Sequence, residues 1–513
     1  MIVVETRPDG SFVSLAKERE MLRLGDLVAR DGALGATARQ RAFEVVRRFQ
    51  QIAQTQQADQ IVAVGTSALR EAADGPAFVE SVQQKLGVTI HIIDGIHEAT
   101  TIFTAIRASV VIDPSPALAL DLGGGSLEIM LGDAAGLDFA ASAKLGVGRL
   151  TTTFFASDPP TTEELAAARD HVSRELEQIL AEVAEFKPKL LIGSSGTFIA
   201  IATIAATLRS GTPPDHLNHL TVTYREIATA AKRVFAETRQ GRTKIPGADA
   251  RRAELLPAGF VVLLYIMERL DLRAMTISGW ALREGLVLQT IAAHDPTDFG
   301  DDPKSIRRAS VLSLCHRCNW NAPHGFQVAE LAGKLFDATA SIHGLDANQR
   351  ELLECAALLH DIGEHISRTN HDRHSAYLIE HGDLRGFSPE EVSELILLAR
   401  YHLRGSEKAL KKDPKITVEQ FDRLRYLIGL LRIADALDAS HSEEITQISA
   451  LERADGTLVL SLVARGEAEL ELWALRRKQG FFEQVSGLTC EGQVQRSRRK
   501  KLTPFLSAGA GLG

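Results

Sequence analysis

A carboxylate, three glycines and a serine form the part of the chain that is best suited to chemistry. Asp121 follows an apolar stretch, and after one leucine come Gly123-Gly124-Gly125-Ser126. Glycine tolerates positive φ and has no side chain, so the backbone can approach a ligand closely and turn its N–H groups towards it. The segment suits a phosphate, with Asp121 placed to hold a metal ion or to orient water. The alternative is a hairpin with a glycine turn, since short motifs often occur by chance.

A second segment of small residues, Gly193-Ser194-Ser195-Gly196-Thr197, follows the apolar residues 190–192. It stands where a predicted strand is followed by a helix, and the N–H groups of a helix N-terminus attract anions. A tight strand-to-helix turn would need the same residue types. Two such segments in one chain are less readily explained by chance than one, which favours phosphate binding.

The elements that must position these segments are predicted from hydrophobic periodicity. Strands alternate with helices over residues 1–115, beginning with two strands joined by the turn Pro8-Asp9-Gly10, and this predicts one α/β domain. A second α/β domain is predicted over residues 116–298. In it, residues 117–131 form a strand, a glycine turn and a strand, and residues 161–185 form a long helix.

The pattern changes after residues 295–302, which are rich in Asp, Pro and Gly and predict a linker. An all-helical domain is predicted over residues 303–442, with helices at 326–342, 347–359, 373–381, 389–401 and 418–437. Residues 443–490 predict a small α+β cap with two strands and a helix at 467–484. The last segment, 491–513, contains a basic cluster and is predicted to be a solvated, disordered tail.

Composition limits the classes of function. A chain of 513 residues predicts roughly three or four domains. A net charge of −8 gives no global basic field for nucleic acid, so an anionic substrate needs a local positive site. The longest apolar run, 255–267, is shorter than the ~20 residues of a membrane span and predicts a buried helix. No signal peptide is visible, and Cys315 and Cys318 have no second close cysteine pair, so we expect a reducing cytoplasm and no zinc site there.

Together, the motifs resemble those of the exopolyphosphatase / guanosine pentaphosphate phosphohydrolase family. The resemblance implies two actin-like α/β domains (the sugar kinase / heat-shock ATPase, or ribonuclease H-like, fold) with the active site in the cleft between them. The matching motifs follow the family's order across nearly the whole chain: Thr66-Ser67-Ala68-Leu69-Arg70-Glu71-Ala72, Gly95-Ile96-His97-Glu98-Ala99, Asp121-Leu122-Gly123-Gly124-Gly125-Ser126-Leu127-Glu128, Gly193-Ser194-Ser195-Gly196-Thr197, Pro257-Ala258-Gly259 and Leu282-Arg283-Glu284-Gly285.

The resemblance also implies roles for single residues. Glu98 would be the general base that activates water; the alternative is a carboxylate favoured by the dipole at a helix N-terminus. The loop from Gly123 to Ser126 would hold the terminal phosphate, and Arg70 would contact phosphate. Asp121 and Glu128 would help to hold Mg²⁺. Attack on a terminal phosphoryl group needs a positioned water, a base and charge neutralisation, which this set would supply.

One motif of the family is missing. The family opens with a strand and a first phosphate loop of the form Asp-x-Gly-Ser-Asn-Ser, whereas residues 1–5 look like the strand that should follow that loop. Either the start of the chain is placed too late, or this is a variant without the first phosphate loop. The second alternative would remove a strand from the first domain together with half of the phosphate clamp.

The helical domain resembles the HD phosphohydrolase fold. His324, the pair His360-Asp361, and Asp435 occur in the order of that fold's metal ligands. Such a set suits a divalent ion that lowers the pKa of bound water, and it favours Mn²⁺, Fe²⁺ or Zn²⁺ over Mg²⁺. His374 and His402 could add contacts or bind phosphate. The alternative is a degenerate scaffold that shapes a channel for a long substrate, as in many relatives.

The leading hypothesis is therefore an exopolyphosphatase that uses Mg²⁺ to release orthophosphate from the end of polyphosphate. Hydrolysis of guanosine pentaphosphate to the tetraphosphate is the alternative at the same site. Two alternatives of other classes are a non-catalytic polyphosphate or nucleotide sensor, and an HD-domain phosphohydrolase with a regulatory N-terminal half. The family resemblance implies a homodimer. We expect no membrane partner, no specific nucleic acid and a cytoplasmic location.

Overall fold

Two units, each with its own set of elements, make up the chain in the computed structural model, which describes residues 1–7, 11–113, 115–294, 303–413 and 416–496. Unit 1 comprises Met1–Ser310 with Arg385–Pro389, and unit 2 comprises Val311–Leu384 with the chain from Glu390 onward. The boundary at residue 310 lies inside a helix, later than the domain start predicted at residue 303. The predicted linker 295–302 and the turn Pro8-Asp9-Gly10 lie outside the described residues, and the division predicted at residue 115 stays a prediction.

The N-terminal part of unit 1 contains two small sheets and five helices. Strands β1 and β2 are antiparallel, and β3 and β4 are parallel, so the predicted alternation of strands and helices is confirmed. The last of these helices, α5, carries Glu98. The elements are β1 (Ile2–Thr6), β2 (Phe12–Lys17), α1 (Leu24–Asp31), α2 (Gly35–Thr55), β3 (Ala63–Gly65), α3 (Ser67–Glu71), α4 (Gly75–Leu86), β4 (Ile90–Ile92) and α5 (Gly95–Arg107).

A mixed six-stranded sheet comes next in the chain, and its two faces pack against different helices. Its strands are β5 (Ala117–Leu122), β6 (Leu127–Gly132), β7 (Leu137–Ala143), β8 (Leu190–Ser194), β9 (Thr221–Thr223) and β10 (Ala274–Ile277), in the order β7-β6-β5-β8-β10-β9. Strands β5 and β6 are the antiparallel hairpin predicted around the glycine turn. Because side chains alternate along a strand, Leu118 and Leu120 of β5 face one core, and Ala117 and Ala119 face the core formed with α5.

Seven further helices complete most of unit 1. The long helix predicted at 161–185 is confirmed; its first turn is closed by a capping box between Thr161 and Glu164. The apolar run 255–267 forms a buried helix, as predicted. The helices are α6 (Val147–Phe154), α7 (Thr162–Glu185), α8 (Ser195–Ser210), α9 (Tyr224–Ala236), α10 (Arg239–Arg242), α11 (Leu256–Arg269) and α12 (Leu282–His294).

Helices dominate the chain from residue 303 to residue 436. All five predicted helices have counterparts there, although residues 326–342 are split between two helices. No helix in the described ranges is long and apolar enough to cross a membrane. The helices are α13 (Pro303–Arg317), α14 (Ala322–Ala338), α15 (Ala340–His343), α16 (Ala347–Leu359), a 3₁₀ helix (Ile362–His365), α17 (His371–Glu380), α18 (Pro389–Tyr401), α19 (Glu407–Lys411) and α20 (Val418–Ala436).

The C-terminal cap is a three-stranded sheet with two helices. Its elements are β11 (Ile445–Glu452), β12 (Thr457–Ala464), α21 (Glu469–Lys478), α22 (Gly480–Ser486) and β13 (Thr489–Arg496). Two predictions were wrong: the helix at 467–484 is two helices, and residues 491–496 are strand and not tail. β13 pairs with β12 in parallel, and its residues alternate between exposed and covered positions. The basic residues near the end of the chain made this alternation hard to recognise in the sequence. Residues 497–513 lie outside the described part.

Candidate functional site

Two carboxylates, Asp121 and Glu128, face each other on neighbouring strands. They are paired across the antiparallel strands β5 and β6, and Ser194 of β8 is the neighbour of Asp121 on its other side. Asp121 shares the sheet face of Ala119, and Glu128 that of Met130, which is the face that packs with α5. Asp121 is 9% exposed and Glu128 is 1% exposed. The sheet therefore places two buried carboxylates on the face that packs against α5, the helix that carries Glu98.

Glu98 comes from the first turn of α5. The helix begins where the Asp94 side chain accepts the N–H of His97 at 2.7 Å. The Oε2 atom of Glu98 lies 3.6 Å from Nη1 of Arg70, whose own hydrogen bond goes to the carbonyl of Ile93. This oxygen is buried and accepts no hydrogen bond from the described residues. Because Arg70 offsets only part of its loss of water, this oxygen is available to a water or to an ion.

Burial raises the pKa of all three carboxyl groups. The pKa of Glu98 rises to about 7, that of Asp121 to about 6 and that of Glu128 to about 8, mainly because the charged forms lose water. Repulsion among the carboxylates adds to the rise at Glu98 and Glu128. Arg70 lowers the pKa of Glu98 and so opposes this rise. The Ser142 hydroxyl donates a hydrogen bond to Glu128 at 2.9 Å and lowers the pKa of Glu128.

The donor set fits the predicted Mg²⁺. Mg²⁺ prefers carboxylate oxygens, and a divalent cation would stabilise the charged forms of these groups, which burial and, at Glu98 and Glu128, mutual repulsion disfavour. Asp121 and Glu128 are the residues that would hold it. These two residues, Glu98, Arg70 and the glycine loop, which is residues 123–126, together form the glycine-loop site.

Hydrogen bonds from the residues at the start of α6 fix the conformation of the glycine loop. Gly123 donates its N–H to the carbonyl of Ser126 at 3.0 Å, whereas the N–H groups of Gly124 and Gly125 donate to no acceptor in the described part of the chain. The loop carbonyls accept the N–H groups of Gly146, Val147 and Gly148 at 2.9–3.2 Å. Two N–H groups are thus left for an anion, as the phosphate-binding prediction requires.

Close packing, and not positive φ, requires a glycine at position 125 of the loop. None of Gly123, Gly124 and Gly125 has a left-handed backbone, so tolerance of positive φ is not the reason for glycine at these positions. A Cβ on Gly125 would lie 2.6 Å from the Ser67 hydroxyl, and one on Gly146 would collide with the backbone of Gly124. A Cβ on Gly124 itself would meet no described atom within 4 Å, so that position opens onto free space.

The carboxylate of Glu71 holds positively charged side chains beside the loop. Its carboxylate accepts Nη2 of Arg149 at 2.8 Å and the Ser67 hydroxyl at 2.7 Å, and Nζ of Lys144 lies 3.4 Å away. Nε of Arg149 also donates to the carbonyl of Gly125 at 3.4 Å. These cations provide a local positive site, which an anionic substrate needs on a chain of net charge −8.

The second predicted phosphate segment is a direct transition from strand to helix. Gly193 and Ser194 belong to β8, and Ser195, with φ of 79°, starts α8. Ser194 is fully buried; its hydroxyl donates to the carbonyl of Trp280 at 3.3 Å and also opposes the pKa rise of Asp121. The segment therefore meets the glycine-loop site through Ser194, while Gly193 is a packed strand residue.

Gly196 and Thr197 contact a buried arginine that the sequence did not single out. Nη1 of Arg252 donates to the hydroxyl of Thr197 at 3.4 Å, and a Cβ on Gly196 would collide with the same guanidinium. Arg252 is 8% exposed and lies 4.0 Å from Asp249. A guanidinium at a helix N-terminus suits an anion, and phosphate binding by residues 193–197 stays a prediction.

The four predicted metal ligands of the helical domain converge in unit 2. His324 lies in the first turn of α14, His360 and Asp361 follow α16, and Asp435 lies near the end of α20. Oδ2 of Asp361 lies 3.7 Å and 3.5 Å from Nε2 of His324 and of His360, and Oδ1 of Asp435 lies 3.9 Å and 4.0 Å from the same atoms. The other oxygen of Asp435 pairs with Lys478. Burial lowers the pKa of His360 to about 4, which keeps its imidazole neutral, the form that a metal site would require.

Comparison with known proteins decides the family. The model of the Ppx/GppA phosphatase family matches residues 2–294, and that of Ppx/GppA phosphatase, domain III, matches residues 306–486. The chain belongs to the Ppx/GppA phosphatase family. Its resemblance to the exopolyphosphatase / guanosine pentaphosphate phosphohydrolase motifs is thereby confirmed, and so is the predicted enzyme class, a phosphohydrolase.

Relatives of this Ppx/GppA protein match it over most of its length. The guanosine-5'-triphosphate,3'-diphosphate pyrophosphatase of Vibrio campbellii is 28% identical over 458 residues, which is 89% of this chain and 88% of the relative. That of Vibrio vulnificus is 28% identical over 477 residues, 91% of this chain and 92% of the relative. An exopolyphosphatase crystal structure from Cytophaga hutchinsonii, 22% identical, has a TM-score of 0.54 over 57% of this chain and 94% of its own. This likeness supports the family's actin-like α/β fold.

Several residues of the Ppx/GppA protein that contact these sites were missed in the sequence, among them Ser142, Arg149, Arg252 and His371. Arg252 stands five residues before Pro257-Ala258-Gly259, and an arginine beside a long apolar run was a signal for a buried cation. His371 stands three residues before His374, which the sequence suggested in its place. Nothing in the spacing separated those two histidines, because the choice depends on how α17 approaches Asp361.

Proposed function

We propose that the glycine-loop site hydrolyses the terminal phosphoanhydride bond of inorganic polyphosphate and releases orthophosphate. The observation that carries the proposal is the buried Oε2 of Glu98, which has no donor among the described residues. It belongs to the same buried group as Asp121 and Glu128. A base, an open position at Gly124 and local positive charge are the parts that phosphoryl transfer to water needs.

The chemistry assigns one task to each group. The N–H groups of Gly124 and Gly125, with Arg70, bind and orient the terminal phosphate. The oxygen of a water forms a bond to the terminal phosphorus, and the bond from that phosphorus to the bridging oxygen breaks. Glu98 accepts the proton of the water, and the bridging oxygen becomes the new end of the shortened chain. Mg²⁺ on Asp121 and Glu128 would neutralise charge on the phosphate oxygens.

Guanosine pentaphosphate is the second candidate substrate, and one observation favours it. The relatives named guanosine-5'-triphosphate,3'-diphosphate pyrophosphatase match this chain across both units. A site that recognises only a terminal phosphoryl group can accept either polyphosphate or guanosine pentaphosphate. Discrimination between them then depends on contacts with the remainder of the substrate.

The first test compares the two substrates on the full chain. Orthophosphate release with Mg²⁺ is measured for medium-chain polyphosphate and for guanosine pentaphosphate, and kcat/KM is compared. We expect the larger value for polyphosphate. A larger value for guanosine pentaphosphate would select the second candidate. A folded protein that binds polyphosphate and releases phosphate from neither substrate would be a sensor, and the proposal would be wrong.

The pKa of Glu98 predicts the pH dependence. Only the deprotonated carboxylate can accept a proton, and its pKa is raised to about 7, so kcat/KM should fall as the pH is lowered through about 7. Arg70 lowers this pKa, so the Arg70→Gln variant should move the acidic limb to higher pH. The profiles of wild type and variant are measured on the same substrate, so that substrate ionisation cancels. An acidic limb near pH 4.5, or one unmoved by Arg70→Gln, would contradict the role of Glu98.

A further inference from the structure

Arg149 lies beside the two N–H groups that the glycine loop leaves for an anion. Its own backbone N–H donates to the carbonyl of Gly124 at 3.3 Å, and its Nε donates to the carbonyl of Gly125 at 3.4 Å. The guanidinium is therefore bonded to the same residue whose N–H is left for the terminal phosphate. The next group along a substrate that is held there would meet this cation.

Glu71 fixes the direction of the Arg149 side chain. Its carboxylate accepts Nη2 of Arg149 at 2.8 Å and the Ser67 hydroxyl at 2.7 Å. Burial opposes the charged form of Glu71, but its side-chain partners outweigh burial and lower its pKa, so the carboxylate stays charged. Nη1 of Arg149 donates to no acceptor in the part of the chain that the structure describes. The guanidinium is thus held in place while two of its N–H groups are left for a ligand.

Positive charge at this place exceeds what Glu71 neutralises. Nζ of Lys144 lies 3.4 Å from the carboxylate that also binds Arg149, so two cations share one anion. Arg70, which is on the same helix α3 as Glu71, lies instead near Glu98, at 3.6 Å. Because a cation without a matching carboxylate attracts anions, the excess favours a ligand with negative charge.

Solvent exposure increases from the carboxylates of the glycine-loop site to these cations. The three carboxylates are buried, whereas the side chain of Arg149 is 23% exposed and that of Lys144 is 70% exposed. A polyphosphate whose end reaches the carboxylates must extend from there towards the solvent. The exposure of Arg149 and Lys144 places them in this order along that path.

We propose that Arg149 binds the second phosphoryl group of the substrate and that Lys144 binds the phosphates beyond it. The inference rests on the proposed function, because the terminal phosphate must lie at the N–H groups of Gly124 and Gly125. When the oxygen of water bonds to the terminal phosphorus, the bond from that phosphorus to the bridging oxygen breaks. The electron pair stays on the bridging oxygen, which belongs to the second phosphoryl group. Arg149 thus stabilises charge that develops in the transition state.

This subsite defines the class of substrate. A phosphate monoester has carbon beyond the bridging oxygen and presents no second anion to Arg149. Polyphosphate and guanosine pentaphosphate both have a second phosphoryl group next to the terminal one, so both would fill the subsite. The subsite therefore selects phosphoanhydrides over monoesters, because a monoester would leave the guanidinium without its partner.

Binding of two small ligands to the full chain tests the subsite without turnover. Orthophosphate fills only the terminal position, whereas imidodiphosphate has two phosphoryl groups joined by a nitrogen in place of the bridging oxygen. Their dissociation constants are measured by calorimetry with Mg²⁺. In Arg149→Gln, the constant for imidodiphosphate should rise about 10- to 100-fold, the effect of a charge-assisted hydrogen bond, and that for orthophosphate should not change. Lys144→Gln, at an exposed position, should raise KM for polyphosphate about 2- to 5-fold.

Two further variants separate charge from structure. Arg149→Lys keeps the charge and should restore part of the affinity for imidodiphosphate, which a structural defect would not allow. Arg174→Gln is the matched control: this exposed arginine of α7 pairs with Asp170 at 3.1 Å, and its loss should leave both constants unchanged. Circular dichroism and the thermal midpoint report whether each variant is folded. If Arg149→Gln does not fold, Arg149→Lys takes its place, with a smaller weakening of imidodiphosphate alone.

The outcomes distinguish the subsite from the proposed function. Equal weakening of both ligands in folded Arg149→Gln, or of neither, would refute the subsite, and an unchanged KM in Lys144→Gln would refute the role of Lys144. Gly124→Val should weaken both ligands; wild-type binding of both would show that the glycine loop is not the phosphate site. A selective loss in Arg149→Gln, in a protein that hydrolyses neither candidate substrate, would refute the proposed function and support the subsite. A wild type that binds neither ligand would refute both.

Discussion

Replacing Glu98 with glutamine should lower the rate of phosphate release from polyphosphate by ~10²–10⁴-fold. Glutamine keeps the size of the side chain and its place in the first turn of α5, but it cannot accept a proton from water. The buried oxygen of Glu98 accepts no hydrogen bond from the described residues, so the substitution removes no hydrogen bond to that oxygen. The loss should therefore appear in kcat and not in the free energy of unfolding.

Glu80→Gln is the matched control for this prediction. Glu80 is an exposed helical glutamate of α4 that accepts a hydrogen bond from Gln84 at 3.0 Å, outside the glycine-loop site. Its variant should keep wild-type turnover, and both variants should unfold at the wild-type temperature. Wild-type turnover in folded Glu98→Gln would exclude the assigned role and leave Glu98 as a carboxylate at a helix N-terminus.

The hairpin that carries Asp121 and Glu128 could be predicted from the sequence, but its meeting with Glu98 could not. An apolar strand, a glycine turn and a second strand fix the pairing of the two carboxylates, because they are equally far from the turn. That α5 covers the same face depends on the packing of Phe103 and Ile106 against Ala119 and Met130. Periodicity does not reveal which face a helix covers, so the role of Glu98 rested on the family motif.

The clustering of Asp361, His371 and His402 in unit 2 was harder to predict for a similar reason. Its members come from three places: Asp361 after α16, His371 at the start of α17 and His402 after α18. Each lies at or next to a helix end, where no periodic pattern constrains the side chain. The pair His360-Asp361 was recognised because its residues are adjacent. Ligands brought together by tertiary packing have no spacing in the sequence that distinguishes them from structural histidines.

The reason for each glycine in the loop could not be predicted from the sequence either. A run of glycines is consistent with a left-handed backbone, with close packing or with an empty space for a ligand. In this loop Gly125 packs against Ser67, and Gly146 comes from another segment to pack against the loop backbone. Gly124 alone of the three loop glycines would direct a Cβ into open space beyond 4 Å of any described atom. This difference among the glycines makes the phosphate interpretation testable.

Gly124→Val should reduce kcat for phosphate release by ~10²–10³-fold, the usual cost of losing an oxyanion-type donor. The valine methyl groups would occupy the space in front of the Gly124 and Gly125 N–H groups, so the phosphate could no longer reach them. Gly136→Val is the matched control: this glycine lies in the turn between β6 and β7, its φ is also outside the left-handed region, and a Cβ there meets no described atom within 4 Å. Both substitutions add the same side chain at an open position, so they should have similar small effects on the thermal midpoint.

A loss of activity confined to Gly124→Val would show that the open space at the loop is used by the substrate. Full activity in folded Gly124→Val, or an equal loss in both variants, would reduce the glycine loop to a turn between two strands.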